Sequence, residues 1–283
     1  MTNTLATDLG TLYIVATPIG NREDISFRAL NTLKNVNLIL AEDTRHSKQL
    51  LTSLGIKNNL SSLHAHNEGD KSQEIVDLLL HGKSIALISD AGTPLISDPG
   101  FPLVKLAHQH QIPVVPIPGA CALITALSAA GIPCDAFVFL GFLPAKQSAR
   151  KHKLESSRSI PYTLVFYEST HRILDSLNDI ADIYGQDCEL VLAKELTKAF
   201  ERFVSGKVRE IKDWILKDPD HKKGEFVLIF PPRPTEKKER PNEELLKILL
   251  QELPLKQAVS IACQLTNANK NELYEEALKL KGV

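Results

Sequence analysis

Ser84-Ile85-Ala86-Leu87-Ile88-Ser89-Asp90-Ala91-Gly92-Thr93-Pro94-Leu95-Ile96-Ser97-Asp98-Pro99-Gly100 decides the fold of this chain. It opens as a short apolar run with the composition of a buried parallel strand, then breaks into Gly, Pro, Ser and Asp, the residues of a shaped loop. A backbone-exposing loop therefore sits at the carboxyl end of a core strand. In open α/β sheets ligands bind at that end, because the loops there converge on a crevice. Gly92, Pro94, Pro99 and Gly100 fix unusual dihedrals and let a ligand approach the main chain. A tight structural turn is the alternative, but a turn needs fewer special residues.

Working outward, short apolar runs alternate with amphipathic segments, the signature of βαβ units and a parallel sheet. Leu12 to Ala16, Val36 to Ala41, Leu60 to Leu63 and Val114 to Ile117 read as strands beside the opening one. Helices are expected after Asp24 or Ser26, from beyond the Glu42 to His46 strand end to Leu54, from about Lys71 to Leu80 and around Leu103 to His108. The polar clusters at Pro18 to Asn21, Glu42 to His46, His64 to Asn67 and Asp90 to Gly100 all follow strands. One shared site explains that arrangement, and the helix N-termini beside it favour anionic groups. No G-x-G-x-x-G follows the first strand, so the dinucleotide fingerprint is missing. Gly82-Lys83-Ser84 mimics a P-loop tail, but Asp77 stands where its first glycine belongs. His64 and His66 lack a third ligand at a recognisable spacing, so no metal is expected.

Beyond Gly119, Ala120 to Ala130 reads as a buried helix and Phe137 to Leu140 starts a second set of strands, with Tyr162 to Tyr167, Leu190 to Ala193, Arg202 to Ser205 and Phe226 to Phe230. Their closer, irregular spacing predicts a mixed sheet. Lys146, Arg150, Lys151, His152 and Lys153 form a basic cluster, read either as a phosphate-contacting patch or as the solvated face of a short helix. Pro231 to Pro241 is a linker by composition. Three helical patterns follow it, and Ala258, Ala262 and Leu265, then Leu273 and Ala277, resemble either a helix-turn-helix or a plain helical hairpin. The expected domains are residues 1–119, 120–232 and 233–283.

Composition excludes several classes. The chain has 283 residues, 43% hydrophobic and 24% charged, with a net charge of -1, so any nucleic-acid contact must rest on local patches. Cys121, Cys134, Cys188 and Cys263 form no CxxC pair, which predicts reduced thiols in a cytoplasmic protein. No apolar run reaches membrane-spanning length, so no membrane contact is expected.

Thr17-Pro18-Ile19-Gly20-Asn21, Ala41-Glu42-Asp43-Thr44-Arg45, the Ser89 to Gly100 loop, Pro118-Gly119, Tyr167-Glu168-Ser169 with His171-Arg172, and Lys194-Glu195-Leu196-Thr197-Lys198 occur in that order. Together they resemble the ribosomal RNA small-subunit methyltransferase I family, 2′-O-ribose methyltransferases of 16S rRNA within the tetrapyrrole methylase superfamily. The resemblance covers nearly the whole chain. It implies a tetrapyrrole-methylase-like α/β fold, with a parallel-sheet N-terminal domain, a mixed-sheet second domain and a small C-terminal helical domain. It also implies S-adenosylmethionine as methyl donor, a homodimer, and as substrate 16S rRNA within the small ribosomal subunit, at cytidine 1402 of the decoding region. By position, Asp90, Ala91, Gly92, Thr93, Ile96 and Ser97 hold the methionine end of the donor. Pro18 and Gly20 line the same cleft, and Ala120, Cys121, Tyr167, Gly224 and Glu225 surround the adenosine. The family usually has Pro-Ser after its Pro-Gly pair, whereas this chain has Ala120-Cys121, so contacts made there by main chain survive and a hydroxyl contact does not.

A sulfonium methyl is already activated, so the protein must chiefly align acceptor oxygen, methyl carbon and sulfur. A base that removes the hydroxyl proton would help by about 10²-fold or more. Asp43, Glu168, Lys194 and Glu195 each follow a strand and are the catalytic candidates, while Arg45 and Arg172 are suited to clamping flanking phosphates. Each acid is equally explained by a salt bridge to one of those arginines. Two other functions stay open: a methylase of a tetrapyrrole or other small molecule, with little use for residues 146–153, and a non-enzymatic RNA-binding protein, with no need of the donor loops.

Overall fold

The computed structural model describes residues 9–233, 241–266 and 268–281, so most of the expected linker, 234–240, lies outside the described residues. The chain forms two compact units: residues up to 158 with 162–232, and residues 233–283 with Ser159–Pro161.

The first unit holds two sheets. β1 (Leu12–Val15), β2 (Leu38–Ala41), β3 (Leu60–Ser62), β4 (Ile85–Leu87) and β5 (Val114–Ile117) form an all-parallel sheet in the order β3-β2-β4-β1-β5. Ala86 of the central strand lies opposite both Tyr13 and Ile39. The connecting helices are α1 (Phe27–Asn35), α2 (Thr44–Ser53), α3 (Glu68–Leu80) and α4 (Phe101–Gln109). They cover both faces, which is why β4 reads as an unbroken apolar run. Ile85 and Leu87 pack with Ile75, Leu79 and Leu103 of α3 and α4. Ala86 and Ile88 point the other way, to Leu33 and Leu51 of α1 and α2. Burying each such Leu or Ile stabilises the fold by about 1.5–3 kcal/mol.

Local chemistry sets the helix ends. Ser26 caps α1 by accepting from Ala29 N–H at 3.1 Å, and α2 stops at Leu54 before Gly55 at φ +68°. Helix α3 starts at Glu68, earlier than the apolar pattern predicts, because a turn closed by Glu68 N–H to His64 C=O at 2.9 Å leads straight into it.

The second sheet comprises β6 (Phe137–Phe142), β7 (Thr163–Ser169), β8 (Glu189–Lys194), β9 (Arg202–Lys207) and β10 (Glu225–Phe230), ordered β6-β7-β10-β8-β9. β6 and β7 run parallel and the other pairs antiparallel, so the sheet is mixed. Helix α5 (Ala122–Ala129) packs Leu123, Ala126 and Leu127 on Val165, Val191 and Val227 of one face. On the opposite face Phe230 meets Phe166 at 5.7 Å and Tyr184 of α7 (Ile173–Tyr184) at 5.4 Å, and α6 (Gln147–Ser157) and α8 (Val208–Lys217) flank α7. Sequence reading missed α8, although Val208, Ile211 and Ile215 are buried at helical spacing. The expected buried helix at Ala120 begins only at Ala122, leaving Ala120 and Cys121 as loop.

The second unit contains α9 (Pro241–Glu252), α10 (Leu255–Thr266) and α11 (Lys270–Lys281), packed around Leu246, Val259, Ala262, Leu273 and Ala277. Leu265, expected on the buried face, is instead 66% exposed, and Val259 fills the core. Among the described residues no helix is long and apolar enough to cross a membrane.

Candidate active site

The loop after β4 is held in a shape that few sequences adopt. Gly92 has φ +83°, while Leu95 and Ser97, at +70° and +74°, are left-handed without being glycine, which costs roughly 1–2 kcal/mol each. Its neighbours over-determine it. Thr17 and Gly92 exchange both backbone hydrogen bonds, at 2.8 and 3.1 Å, tying the loop to the end of β1. Thr93 Oγ1 donates to Ala120 C=O at 3.1 Å, Asp43 N–H to Asp90 Oδ1 at 3.1 Å, and Gly100 N–H to Glu68 Oε2 at 2.7 Å. Segments following β1, β2 and β5 thus converge on it. The Thr93 bond uses main-chain oxygen at Ala120, so it is indifferent to the Ala120-Cys121 departure.

This loop walls a cavity of about 330 Å³, the size of a small-ligand site. Asp90, Ala91, Gly92, Thr93, Ile96, Ser97, Cys121, Tyr167 and Glu225 line it as expected from the sequence. Pro18, Gly20, Ala120 and Gly224 do not reach the lining and stand one residue behind it, next to Ile19, Cys121 and Glu225. Gly224, at φ +106°, leaves room for the Glu195 side chain, which any Cβ there would strike. Tyr167 O–H accepts from Leu123 N–H at 2.9 Å and its ring meets Phe139 and Phe142 edge-on; burial pushes its phenol well above the usual range.

Sequence reasoning missed Asp98 and Phe142 in the lining. Burial pushes the Asp98 carboxyl up to about 6, with Ser89 opposing and the charges of Glu42 and Asp90 adding to the rise. Glu42 is raised as well, by burial and by Asp90. Asp90 and Asp98 line the cavity, and the charge of Glu42, which lies outside the lining, acts on both. That arrangement is unfavourable alone and suits a cationic ligand. Phe142 was signalled by Gly141, at φ +64° where the β6 register slips.

The catalytic candidates occupy different places. Asp43 caps α2: its Oδ1 accepts from Arg45 and His46 N–H at 2.7 and 3.3 Å, bonds that hold its carboxyl below the usual range. Glu168 borders the cavity with both oxygens engaged, Oε1 by Arg172 Nε at 3.0 Å and Ser169 N–H at 2.7 Å, Oε2 by Ser176 O–H. This is the arginine salt bridge that sequence reading offered as its other explanation. Glu195 accepts from Lys198 Nζ at 2.8 Å and from Glu225 N–H at 3.0 Å; burial pushes its carboxyl up, but these bonds outweigh it and hold it low. Lys194 and Glu195 border a second, neighbouring cavity.

The basic cluster requires a correction. Arg150, expected on the surface for RNA, is 3% exposed: its Nε pairs with fully buried Asp179 at 2.7 Å and its Nη1 donates to Pro144 and Ala145 C=O. Lys151 pairs with Asp182 at 2.7 Å, and Lys153 Nζ donates to Leu140 and Phe142 C=O. These cations fasten α6 to α7 and β6, and burying a charge requires such partners. Lys146 and Arg45 are exposed, and Arg172 is committed to Glu168.

Comparison with known proteins agrees with this geometry. Residues 11–212 match the family model of Tetrapyrrole (Corrin/Porphyrin) Methylases, and residues 242–281 match the RsmI C-terminal HTH domain. The chain is 51% identical over 280 residues to Ribosomal RNA small subunit methyltransferase I of Haemophilus influenzae, covering 96% of this chain and 98% of that one. Its fold is that of a diphthine synthase crystal structure (TM-score 0.62, 14% identity, 78% of this chain and 90% of that one). The same holds for a Uroporphyrin-III C-methyl transferase from Thermus thermophilus complexed with S-adenyl homocysteine (TM-score 0.53, 16% identity, 78% and 97%). With a converging-loop cavity in a parallel-plus-mixed-sheet fold and kinship along nearly its full length, the chain belongs to the ribosomal RNA small subunit methyltransferase I family of tetrapyrrole methylases.

Proposed function

We propose that the protein transfers a methyl group from S-adenosylmethionine to the 2′-oxygen of a ribose in 16S rRNA, at cytidine 1402, acting as a homodimer in the cytoplasm. The observation that carries the reading is the kinship over 96% of the chain with a protein named for ribosomal RNA small subunit methylation. The cavity supports it chemically. Its Gly92 to Ser97 wall offers turned backbone to a carboxylate, and Tyr167 with Phe142 offers rings to an adenine. Asp90 and Asp98, in the cavity wall, face the positive charge of a sulfonium and an ammonium. When bound, the donor supplies an activated methyl; the residues around it bind, orient and exclude water, and such alignment can lower the barrier by several kcal/mol. Glu168, held from three sides, positions the wall formed by β7.

The Asp98 carboxyl gives this reading a pH signature. Below about 6 it is protonated and neutral; above, it is the counter-charge that a cationic donor favours. Donor affinity should rise about tenfold from about pH 5 to about pH 7, since ionisation near 6 is completed across that interval. Asp98→Asn should flatten the profile, and calorimetric titration at both pH values checks it.

Methyl transfer itself is tested by offering labelled S-adenosylmethionine with small ribosomal subunits from a strain lacking the protein, and in parallel with a reduced tetrapyrrole. Label in the subunit RNA is expected. Label only in the tetrapyrrole would replace the substrate class, and donor-independent RNA binding without transfer would leave a binding protein.

A further inference from the structure

Lys194, the last residue of β8, is 5% exposed, yet its side chain makes no hydrogen bond or ion pair among the described residues. A buried cation is ordinarily paired, so an unpaired one on a cavity wall marks a place for an anion. The cavity, of about 440 Å³, adjoins the donor cavity: Leu196 and Glu225 wall the first, and their chain neighbours Glu195 and Gly224 wall the second. Arg202 on its rim is also without an ion pair among the described residues. The charges of Glu195 and Asp220 act on Lys194 without reaching ion-pair distance, and both acids have closer partners. Asp220 pairs with Lys223 at 2.8 Å, Asp218 accepts from Asp220 N–H at 2.8 Å, and Glu195 is held by Lys198. Aromatic surface completes the cavity: Phe200 is 74% exposed, and Trp214 stacks on His221 at 3.7 Å with the rings 9° from parallel. A carbonyl oxygen only accepts, so the 2.7 Å contact to Trp214 C=O fixes the proton on His221 Nδ1.

We propose that this second cavity is a subsite for a nucleotide flanking the methylated one, with a phosphodiester of single-stranded RNA at Lys194 and Arg202 and a base against Phe200 and the Trp214–His221 stack. Cations that track the backbone beside rings that take a base are the two elements of single-strand recognition. The inference rests on the RNA reading above and names where the chain runs beyond the donor cavity.

Trp214 is the chain's single tryptophan, so its fluorescence reports on this cavity. The experiment titrates the full chain with a short oligocytidylate and with its uncharged methylphosphonate analogue, while donor affinity is measured separately by calorimetry. Saturable fluorescence change with oligocytidylate alone is expected, weakened about tenfold or more in Lys194→Met, the effect of losing a charge-assisted contact. Donor affinity should be unchanged. Phe200→Ala, a change at an exposed ring, should weaken the same binding and stands in should Lys194→Met fail to fold. Unchanged fluorescence in protein that still binds donor, or equal binding of the methylphosphonate, would overturn the subsite and leave the methyltransferase reading intact. Oligocytidylate binding at Trp214 without donor affinity would count against that reading and leave the subsite standing.

Discussion

Gly92→Leu is expected to weaken S-adenosylmethionine binding about 30-fold or more while the protein remains folded. At φ +83° a side chain other than glycine costs roughly 1–2 kcal/mol, more for a bulky one, and a Cβ at this position meets Ile19 Cγ2 at 3.2 Å. The paired hydrogen bonds between Thr17 and Gly92 must loosen, and the wall they fix moves with them. Because each tenfold in affinity is about 1.4 kcal/mol, strain and lost wall together reach that range. Calorimetry with the donor, beside a thermal melt, checks it. Full affinity in the variant would remove the loop from the donor site.

The second large effect concerns stability. Asp179→Ala should destabilise the protein by about 3–5 kcal/mol, because it leaves Arg150 buried without its counter-charge. For a unit of this size that corresponds to a fall in melting temperature of about 10 °C. Asp179 also accepts from Gln147 Nε2 at 2.8 Å, so the loss reaches the first turn of α6. The double substitution Arg150→Met with Asp179→Leu should recover most of the loss, since replacing both partners removes the stranded charge. Equal melting temperatures for the parent and Asp179→Ala would show that the pair contributes nothing. Charge reversal at Arg150 would act in the same way, through folding rather than through RNA.

That pair also marks where sequence reading stops. Lys146, Arg150, Lys151 and Lys153 sit close together in the chain and look like a solvated patch, but Asp179 and Asp182, which neutralise two of them, come from the next helix. Local charge patterning cannot see a partner brought by tertiary packing. The parallel sheet was legible for the opposite reason, since β4 must be apolar on both faces and its loop must carry Gly92 and Gly100 at positive φ. Most of the first cavity's wall followed, because it is one contiguous loop. Asp98 lies in that loop yet gave no signal, because its carboxyl is raised chiefly by burial and then by charges such as Glu42 beyond β2. Of the second cavity only Lys194, Glu195 and Gly224 stood out in the sequence; Phe200, Trp214 and His221 did not, because the packing of α8 against β8 and β9 is what brings them beside Lys194.

The most direct test of the central claim is the identity of the methylated nucleoside. Small subunits from a strain lacking the protein, treated with purified protein and S-adenosylmethionine, are digested and analysed by mass spectrometry. One new 2′-O-methylcytidine, mapped to cytidine 1402 and formed in proportion to donor consumed, is expected. A base-methylated nucleoside, or RNA left unmodified while donor is bound, would contradict it.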